Sequence, residues 1–459
     1  MDFSTITQSP DIRAIVQENI LERAFHDALF PQLMFRGEAT PQLWPGNVGD
    51  TMVFTGVGLI KPKMAPLRPG NDPLPSDYQK EQWTATLHQY ADTIDTAMPS
   101  SIVAIANLFL ENAHQLGLSA GMSLNRIVRD RLYNVGMSGN TVATNATTAS
   151  TLPVARLNGF TTARRPDLAL GSAVRFDTVS STNPLPITVG AVAANVIGFT
   201  PSIAGDEVGP GTLTLDAPIT WALRAKVVAG DASVLVRTGA GATIDALTSA
   251  NVLTLSDMRT AISRFYQQSV PTQPDGRYHC HLSPMAVQEL FADADLQRLN
   301  TALPDYYMYK EFAIAELLNT VFYRNAEAPI AQTVAGGTTA AYDTTDPFAA
   351  ELYVGGTTAG IPVFHTLLVG AGAVYEYYQD LGQLITEAGV TGKVGEPRIT
   401  NNSIEVSTER IQLILRSPLN RLQDLVSTSW KFIGDWPART DVATGDGARY
   451  KRVVVLEHA

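Results

Sequence analysis

The sequence is poor in cysteine and in charge. Of its 459 residues only Cys280 is a cysteine, and 17% are charged, against about 25% in an average soluble domain. A single cysteine cannot form an intrachain disulfide, so the fold does not depend on oxidation. Sparse charge beside 45% hydrophobic residues favours a chain whose surface is partly covered by other subunits.

The sequence also lacks long apolar runs and signal-like features. No run of 18 apolar residues occurs, so a helical membrane span is not expected. The first ten residues, MDFSTITQSP, have neither the basic nor the apolar segment of a secretion signal. We therefore expect no membrane association, and synthesis in a cytoplasm.

Sequence signatures of catalysis and nucleic-acid binding are missing too. There is no GxGxxG and no phosphate loop. The close glycines of VGAGAVYE (369–376) indicate a turn or close strand packing, and the aspartates of FADADL (291–296) indicate a solvated helix face. A net charge of −11 argues against a nucleic-acid reader, for which the pair Arg164-Arg165 is weak evidence.

One stretch, RYHCHLSP (277–284), could hold a metal ion, because histidine and cysteine are good ligands. On a strand, His279 and His281 point to one face and Cys280 to the other, so the three cannot bind one ion together. A metal-dependent hydrolase that uses the two histidines and a carboxylate elsewhere stays an alternative. The simpler interpretation is a half-buried strand followed by a helix, with Ser283 as N-cap and Pro284 at its first position.

The N-terminal half contains two predicted helices and a two-stranded arm between them. Apolar spacing predicts helices over 10–35 and 99–136. Segments 50–60 and 81–96 alternate like strands, and the sixteen residues that begin at Lys61 contain five prolines, which cannot join a central ladder. An isolated hairpin is marginal in water, so this arm needs a surface to lie on.

The remainder predicts an inserted β domain and a mixed domain. Residues 138–151 are small and polar and indicate a linker, as do residues 333–346. The segment that follows the first of these linkers, 152–250, is rich in Val, Thr, Gly and Pro and predicts an all-β domain. Strands and helices mix beyond 254, with Thr254 or Ser256 as a predicted N-cap. The fold class is therefore α+β.

These parts, in this order, resemble the major capsid proteins of tailed bacteriophages, which have the Hong Kong 97-type coat fold. LHQYADTID (87–95) is similar to the end of the extended E-loop of these coats. GRYHCHLSPMAVQEL (276–290) and GIPVFHTLLV (360–369) resemble their axial domain. The resemblance covers most of the chain except the β domain.

The resemblance implies a division of the chain into six segments. These are an N-terminal arm (1–49), an E-loop (50–97), the spine helix and the start of the peripheral domain (98–150), the inserted β domain (151–250), an axial domain (251–398), and a return to the peripheral domain with the C-terminal tail (399–459).

The same resemblance implies a structural role without enzymatic activity or cofactors. The chain would form hexamers and pentamers of an icosahedral phage head, would enclose double-stranded DNA without reading its sequence, and would belong to the virion after assembly in the host cytoplasm. Expected partners are a separate scaffolding protein, since about 49 residues without heptads precede the arm, a portal, and a decoration protein on the β domain. The expected inter-subunit residues are Lys61, Lys63, Arg68, Asp72, Trp83 and Tyr90. A surface-layer or adhesion protein is a third alternative, which predicts a secretion signal.

Overall fold

The computed structural model describes most of the chain. The described residues are 20–29, 34–45, 49–57, 63–64, 66–67, 70–73, 80–97, 108–164, 173–174, 176–205, 207–233, 235–240, 246–301, 316–325, 327–328, 330–332, 362–379, 398–400, 403–408, 411–416, 425–438 and 452–459. By the internal contacts of the chain these residues belong to two compact units. Unit 1 is Met1–Val53, Thr84–Arg129 and Val374–Pro437, and unit 2 is Phe54–Trp83, Asp130–Ala373 and Ala438–Ala459.

The regular elements mix helices and strands, which confirms the α+β class. The helices are α1 (Ile20–Leu29), α2 (Leu108–Met137), α3 (Leu255–Gln268), α4 (Pro284–Ala292) and α5 (Ala294–Thr301). The strands are β1 (Thr40–Leu43), β2 (Thr51–Val57), β3 (Lys80–Thr86), β4 (His88–Ala97), β5 (Asn140–Val142), β6 (Thr147–Val154), β7 (Thr162–Arg164), β8 (Ala173–Val174), β9 (Phe176–Thr178), β10 (Leu185–Val189), β11 (Val192–Pro201), β12 (Gly211–Trp221), β13 (Lys226–Ala229), β14 (Leu235–Arg237), β15 (Tyr278–Leu282), β16 (Glu316–Leu317), β17 (Thr320–Arg324), β18 (Ile330–Gln332), β19 (Pro362–Val369), β20 (Tyr375–Tyr378), β21 (Arg398–Thr400), β22 (Ser403–Thr408), β23 (Ile411–Arg416), β24 (Leu425–Asp435) and β25 (Val453–His458).

Unit 1 is built on a seven-stranded sheet. Its strands run in the order β1-β20-β24-β23-β22-β21, and β4 lies antiparallel to β24 along ten residue pairs. Side chains of β24 alternate between half-buried and buried, so that Trp430 and Phe432 enter the core. This alternation is expected for a strand with one face on a core.

The long helix α2 has 30 residues, which is about 45 Å of rise. In unit 1 it buries one stripe, formed by Leu116, Ala120, Leu124 and Val128, as the spacing of four residues requires. Gly117, which lowers helix propensity, is there because α1 approaches closely. A Cβ on Gly117 would lie 2.5 Å from the carbonyl oxygen of Phe25.

Unit 2 contains a second seven-stranded sheet, in the order β14-β25-β19-β15-β17-β16, with β18 beside β19. One face carries Tyr278, Cys280 and Leu282, which pack with the apolar sides of α3 and α4 in one core cluster. The N-cap of α3 is Thr254, one of the two N-cap residues that the sequence predicted, and its side chain forms a capping box with Asp257.

The inserted β domain, within unit 2, is a six-stranded antiparallel sheet in the order β5-β13-β10-β11-β12-β6. It has its own apolar core cluster. The predicted polar linker over 138–151 is wrong, because this segment contributes β5 and most of β6 to the sheet. Its threonines and valine suit strands, and Thr148 and Thr220 join across the ladder through their hydroxyls, 2.8 Å apart.

Two predicted elements are interrupted by a local break. The strand predicted over 81–96 is two strands, because the chain leaves the arm at Leu87 and β4 then pairs with β24 in unit 1. The helix predicted after Ser283 is two helices, because Asp293 ends α4 and its carboxylate accepts from the backbone N–H of Leu255 (2.6 Å) and of Asp295 (2.9 Å). Asp293 is therefore a structural acceptor and not part of a solvated helix face.

The expected segments 251–398 and 399–459 need two corrections. The chain enters unit 1 already at Val374, and its last strand, β25, returns to the sheet of unit 2 between β14 and β19. All six residues of β25 are buried, as is typical of a strand in the middle of a covered sheet. Some predicted segments lie outside the described residues. They are the helix portions 10–19, 30–33 and 99–107 and the linker 333–346.

Candidate functional site

The His-x-His strand is β15, and its two faces are those predicted from the sequence. The prediction that it is half-buried is wrong, because four of its five residues are buried and His279 alone is half-buried. His279 and His281 both contact the ring of Tyr323 on β17, His279 edge-on at 5.1 Å and His281 stacked at 5.5 Å between centroids. His279 Nε2 lies 3.0 Å from Asp275 Oδ2. In the described part of the chain, no group of three or more His, Cys, Asp or Glu is arranged to hold a metal ion.

The Asp275 carboxylate has a lowered pKa. Partial burial alone would raise it, but the hydrogen bond from His279 and the N–H of Arg277 stabilise the charged form more strongly. The tail of the motif is a strand-to-helix joint, since the Ser283 hydroxyl accepts from the N–H of Ala286 at 3.1 Å and Pro284 opens α4. The geometry of the motif is thus that of a structural joint.

The thiol of Cys280 is fully buried in the core of unit 2. Burial in apolar surroundings raises its pKa, so the nucleophilic thiolate is strongly disfavoured.

We expect N-ethylmaleimide to label Cys280 in the native protein at least about 10³ times more slowly than in the denatured protein, since labelling requires unfolding. Mass spectrometry of timed samples measures both rates. The positive control is a Met285→Cys variant, because the side chain of Met285 is 47% exposed and a thiol there is expected to react in the native protein. Equal labelling rates of Cys280 in the native and the denatured protein would contradict its burial.

The glycine-rich turn over 370–374 is a site of close packing. A Cβ on Gly370 would lie 2.4 Å from a methyl group of Val270, and Gly372 has a φ of +69°. These two constraints explain the glycines without a phosphate. The structural interpretation of VGAGAVYE is confirmed.

The two-stranded arm consists of β2, β3 and the chain between them, and its strands lie in one small sheet with β8. Near its base Trp83 stacks on Phe54 at 6.3 Å and is only 9% exposed. The described residues of its tip, between 63 and 73, are all exposed. Among them Met64 is 92% and Leu67 is 58% exposed, so the arm presents apolar side chains to its surroundings.

The six expected inter-subunit residues fall into three groups. Lys61 and Arg68 lie outside the described residues, and Lys63 and Asp72 are exposed at the tip. Trp83 and Tyr90 pack within the chain, Tyr90 with its ring 5.4 Å from that of Trp436. Trp83 and Tyr90 therefore expose less of their surface than the described residues of the tip.

Comparison with known proteins gives structural neighbours only. No protein-family model matches the chain, and no curated protein matches it. Among solved structures, the capsid of Ralstonia phage GP4 is 14% identical with a TM-score of 0.44, covering 91% of this chain and 86% of that one. The capsid of cyanophage Pam1 is 11% identical with a TM-score of 0.45, covering 94% and 92%.

The mature capsid of bacteriophage PhiM1 is 8% identical with a TM-score of 0.43, covering 93% of this chain and 87% of that one. All three are phage capsids. At these scores the argument for function rests on the elements of this chain itself.

A buried carboxylate that sequence reasoning missed lies in unit 2. Glu457 on β25 is fully buried, with Oε2 at 2.5 Å from Arg237 Nε on β14 and Oε1 at 3.3 Å from His365 Nε2 on β19. The same His365 nitrogen is 3.3 Å from the hydroxyl of Tyr133 on α2. Burial would raise the pKa of Glu457, but Arg237 and His365 outweigh burial and lower it.

A buried ion pair lies in unit 1. Arg36 Nη2 is 2.5 Å from Glu376 Oε1, Arg36 Nε is 3.2 Å from both carboxylate oxygens, and the side chains are 6% and 2% exposed. The guanidinium also lies over the ring of Phe432 at 5.5 Å. The pair fixes the segment before β1 to β20, its neighbour in the sheet. Neither ion pair has a local sequence signal.

No helix in the described ranges is long and apolar enough to cross a membrane.

Proposed function

We propose that this chain is the major capsid protein of a tailed bacteriophage and assembles with copies of itself into the shell of the phage head. The observation that carries the proposal is the β2–β3 arm, which ends in exposed Met64 and Leu67. Burying such side chains stabilises by about 1.5–3 kcal/mol each. A stiff arm that ends in apolar groups is suited to bind a neighbouring molecule.

The order of the parts supports the same proposal. An arm, a long helix, an inserted β domain and a mixed sheet follow one another as in the coats that the sequence resembles. A low proportion of charge, 17%, suits a molecule with extensive contacts to its own copies. The net charge of −11 favours repulsion from DNA, so that DNA is enclosed without being bound tightly.

The finer features of the proposal follow from closed symmetry. An arm that contacts a different surface on the next copy makes a heterologous interface, which closes into rings. We propose hexamers and pentamers in an icosahedral shell around double-stranded DNA, located in the virion and assembled in the host cytoplasm. A scaffolding protein, a portal and a decoration protein are the proposed partners.

Replacing Met64 and Leu67 together by serine is expected to reduce shell yield more than about tenfold. The reason is that each arm loses the burial of two apolar side chains, about 1.5–3 kcal/mol for each, and the loss recurs at every arm contact of a ring. Sedimentation velocity and negative-stain microscopy of the purified protein measure the yield. Circular dichroism checks that the subunit is still folded.

The matched control replaces Leu223 and Val252 by serine. These two residues lie outside the arm tip and are 43% and 42% exposed. Normal yield in the control and loss in the tip variant support the role of the arm. A wild-type protein that stays a small monodisperse species would contradict the proposal. Stoichiometric zinc in such a species would favour the metal-dependent hydrolase instead.

A further inference from the structure

The inserted β domain carries a groove where its sheet divides. Residues 192–195 of β11 pair with β10, whereas β11 pairs with β12 only from Val196 onward. After Leu215 the partners of β12 shift, and from Ile219 it pairs with β6 alone. The resulting groove, of about 370 Å³, is lined mainly by small and apolar residues, among them Pro186, Ile187, Ala193, Ala194, Ala217 and Ile219.

One carboxylate, that of Asp216, lies in this groove. Its Oδ1 accepts from the backbone N–H of Asn195 at 3.2 Å and its Oδ2 from Asn195 Nδ2 at 2.8 Å. These two bonds lower the pKa of Asp216 and fix the direction of its negative charge. The surrounding segment 176–223 contains four acidic residues and no Lys, Arg or His. The groove therefore has a mainly apolar lining with one negative charge.

The tip of the β2–β3 arm has the complementary chemistry. Residues 58–73 carry three cationic side chains and one anionic one. Lys63 is exposed and stands next to Met64, which is 92% exposed, with Leu67 at 58%. Because Met64 is exposed to this degree, the tip does not occupy the groove of its own chain.

We propose that the arm tip of one copy docks into the β-domain groove of a second copy, with Met64 against the apolar lining and Lys63 against Asp216. The occupant is thus another molecule of this chain. Methionine is unbranched and adapts to irregular apolar surfaces, and the lysine charge fixes the register. This inference rests on the proposed assembly and adds to it the surface that receives the arm.

A double variant, Met64→Cys with Ala217→Cys, tests the contact in assembled particles. The native Cys280 is buried and does not interfere. Mild oxidation is expected to link most chains into intermolecular dimers and higher species on a non-reducing gel. The matched control, Met64→Cys with Ile203→Cys, puts the second thiol on the same domain at a residue that is 53% exposed and outside the groove, and it is expected to link at least about ten times less.

Charge reversal gives an independent measurement. Asp216→Lys and Lys63→Asp are each expected to reduce shell yield about tenfold, because each places two like charges against one another, and the combination of both is expected to restore it. Oxidised shells in which the groove pair links no better than the control pair overturn the inference but leave the proposed function standing. Failure of the wild-type chain to form any shell contradicts the proposed function itself. If Asp216→Lys does not fold, the cysteine pairs alone decide.

Discussion

Replacing Glu457 by glutamine is expected to lower the free energy of unfolding of unit 2 by about 3–5 kcal/mol, because the change leaves the largely buried Arg237 without its counter-charge. The side chain of Arg237 is 11% exposed and that of Glu457 is 0% exposed, so water replaces little of the lost interaction. Hydrogen exchange of a peptide that covers 452–459 reports the loss locally, since β25 lies within the sheet.

The pH dependence of the same site has a definite sign. The pKa of Glu457 is lowered in the folded state, so the unfolded state binds the proton more readily. The stability that ionised Glu457 contributes is complete above its ordinary pKa of 4.5 and is lost as the pH falls through the lowered folded value. Arg237, His365 and Tyr133 are the titratable groups that face this site. We expect Glu457→Gln to remove this part of the acid sensitivity.

The control for Glu457 is Glu207→Gln, the same change at an exposed loop residue, which is expected to alter stability by less than about 0.5 kcal/mol. The double variant Arg237→Leu with Glu457→Leu is expected to recover part of the loss, since it removes both buried charges together. Unchanged exchange of the 452–459 peptide in Glu457→Gln would contradict the role assigned to this carboxylate.

Replacing Arg36 by methionine is expected to cost unit 1 about 3–5 kcal/mol, because Glu376 then remains in the interior without its partner. The indoles of Trp44, Trp430 and Trp436 all belong to unit 1 and are at most 3% exposed. In a background in which Trp83 and Trp221 of unit 2 are replaced by phenylalanine, tryptophan fluorescence during urea unfolding therefore follows unit 1. We expect the urea midpoint of that transition to fall while its slope stays constant.

Arg36→Lys separates charge from geometry. Lysine keeps the positive charge but cannot form the forked contact that Arg36 makes with both oxygens of Glu376, so an intermediate loss is expected. The control Arg298→Met removes an 81% exposed arginine, 3.7 Å from Asp295, and a change near zero is expected. Equal midpoints for Arg36→Met and wild type would show that the pair contributes nothing.

Features that depend on a few neighbouring residues could be predicted from the sequence. The N-cap of α3, predicted at Thr254 or Ser256 and found at Thr254, and the joint at Ser283-Pro284 each depend on a few neighbouring residues. The separation of Cys280 from His279 and His281 follows from the alternation of a strand. The proline-rich arm tip and α2 follow from composition and periodicity in the same way.

Features that depend on distant partners could not be predicted. The polar segment 138–151 becomes strand because β12 and β13 supply its hydrogen bonds, and the arm strand breaks at Leu87 because β24 offers β4 a ten-residue ladder. The groove at Asp216 exists because β12 changes partner in mid-strand. The strands β12, β13 and β24 all lie far along the chain from the segments with which they pair.

The sequence by itself thus determined the class of the fold, the order of its parts and the exposed chemistry of the arm. Tertiary structure decided where charge is buried, since 340 residues separate Arg36 from Glu376 and 220 separate Arg237 from Glu457. Local patterns fix backbone conformation because their hydrogen bonds and side-chain contacts lie within a few residues. Buried ion pairs and strand pairings at sheet edges form between residues that are distant in sequence. They are therefore decided only in the folded chain, where such residues come into contact.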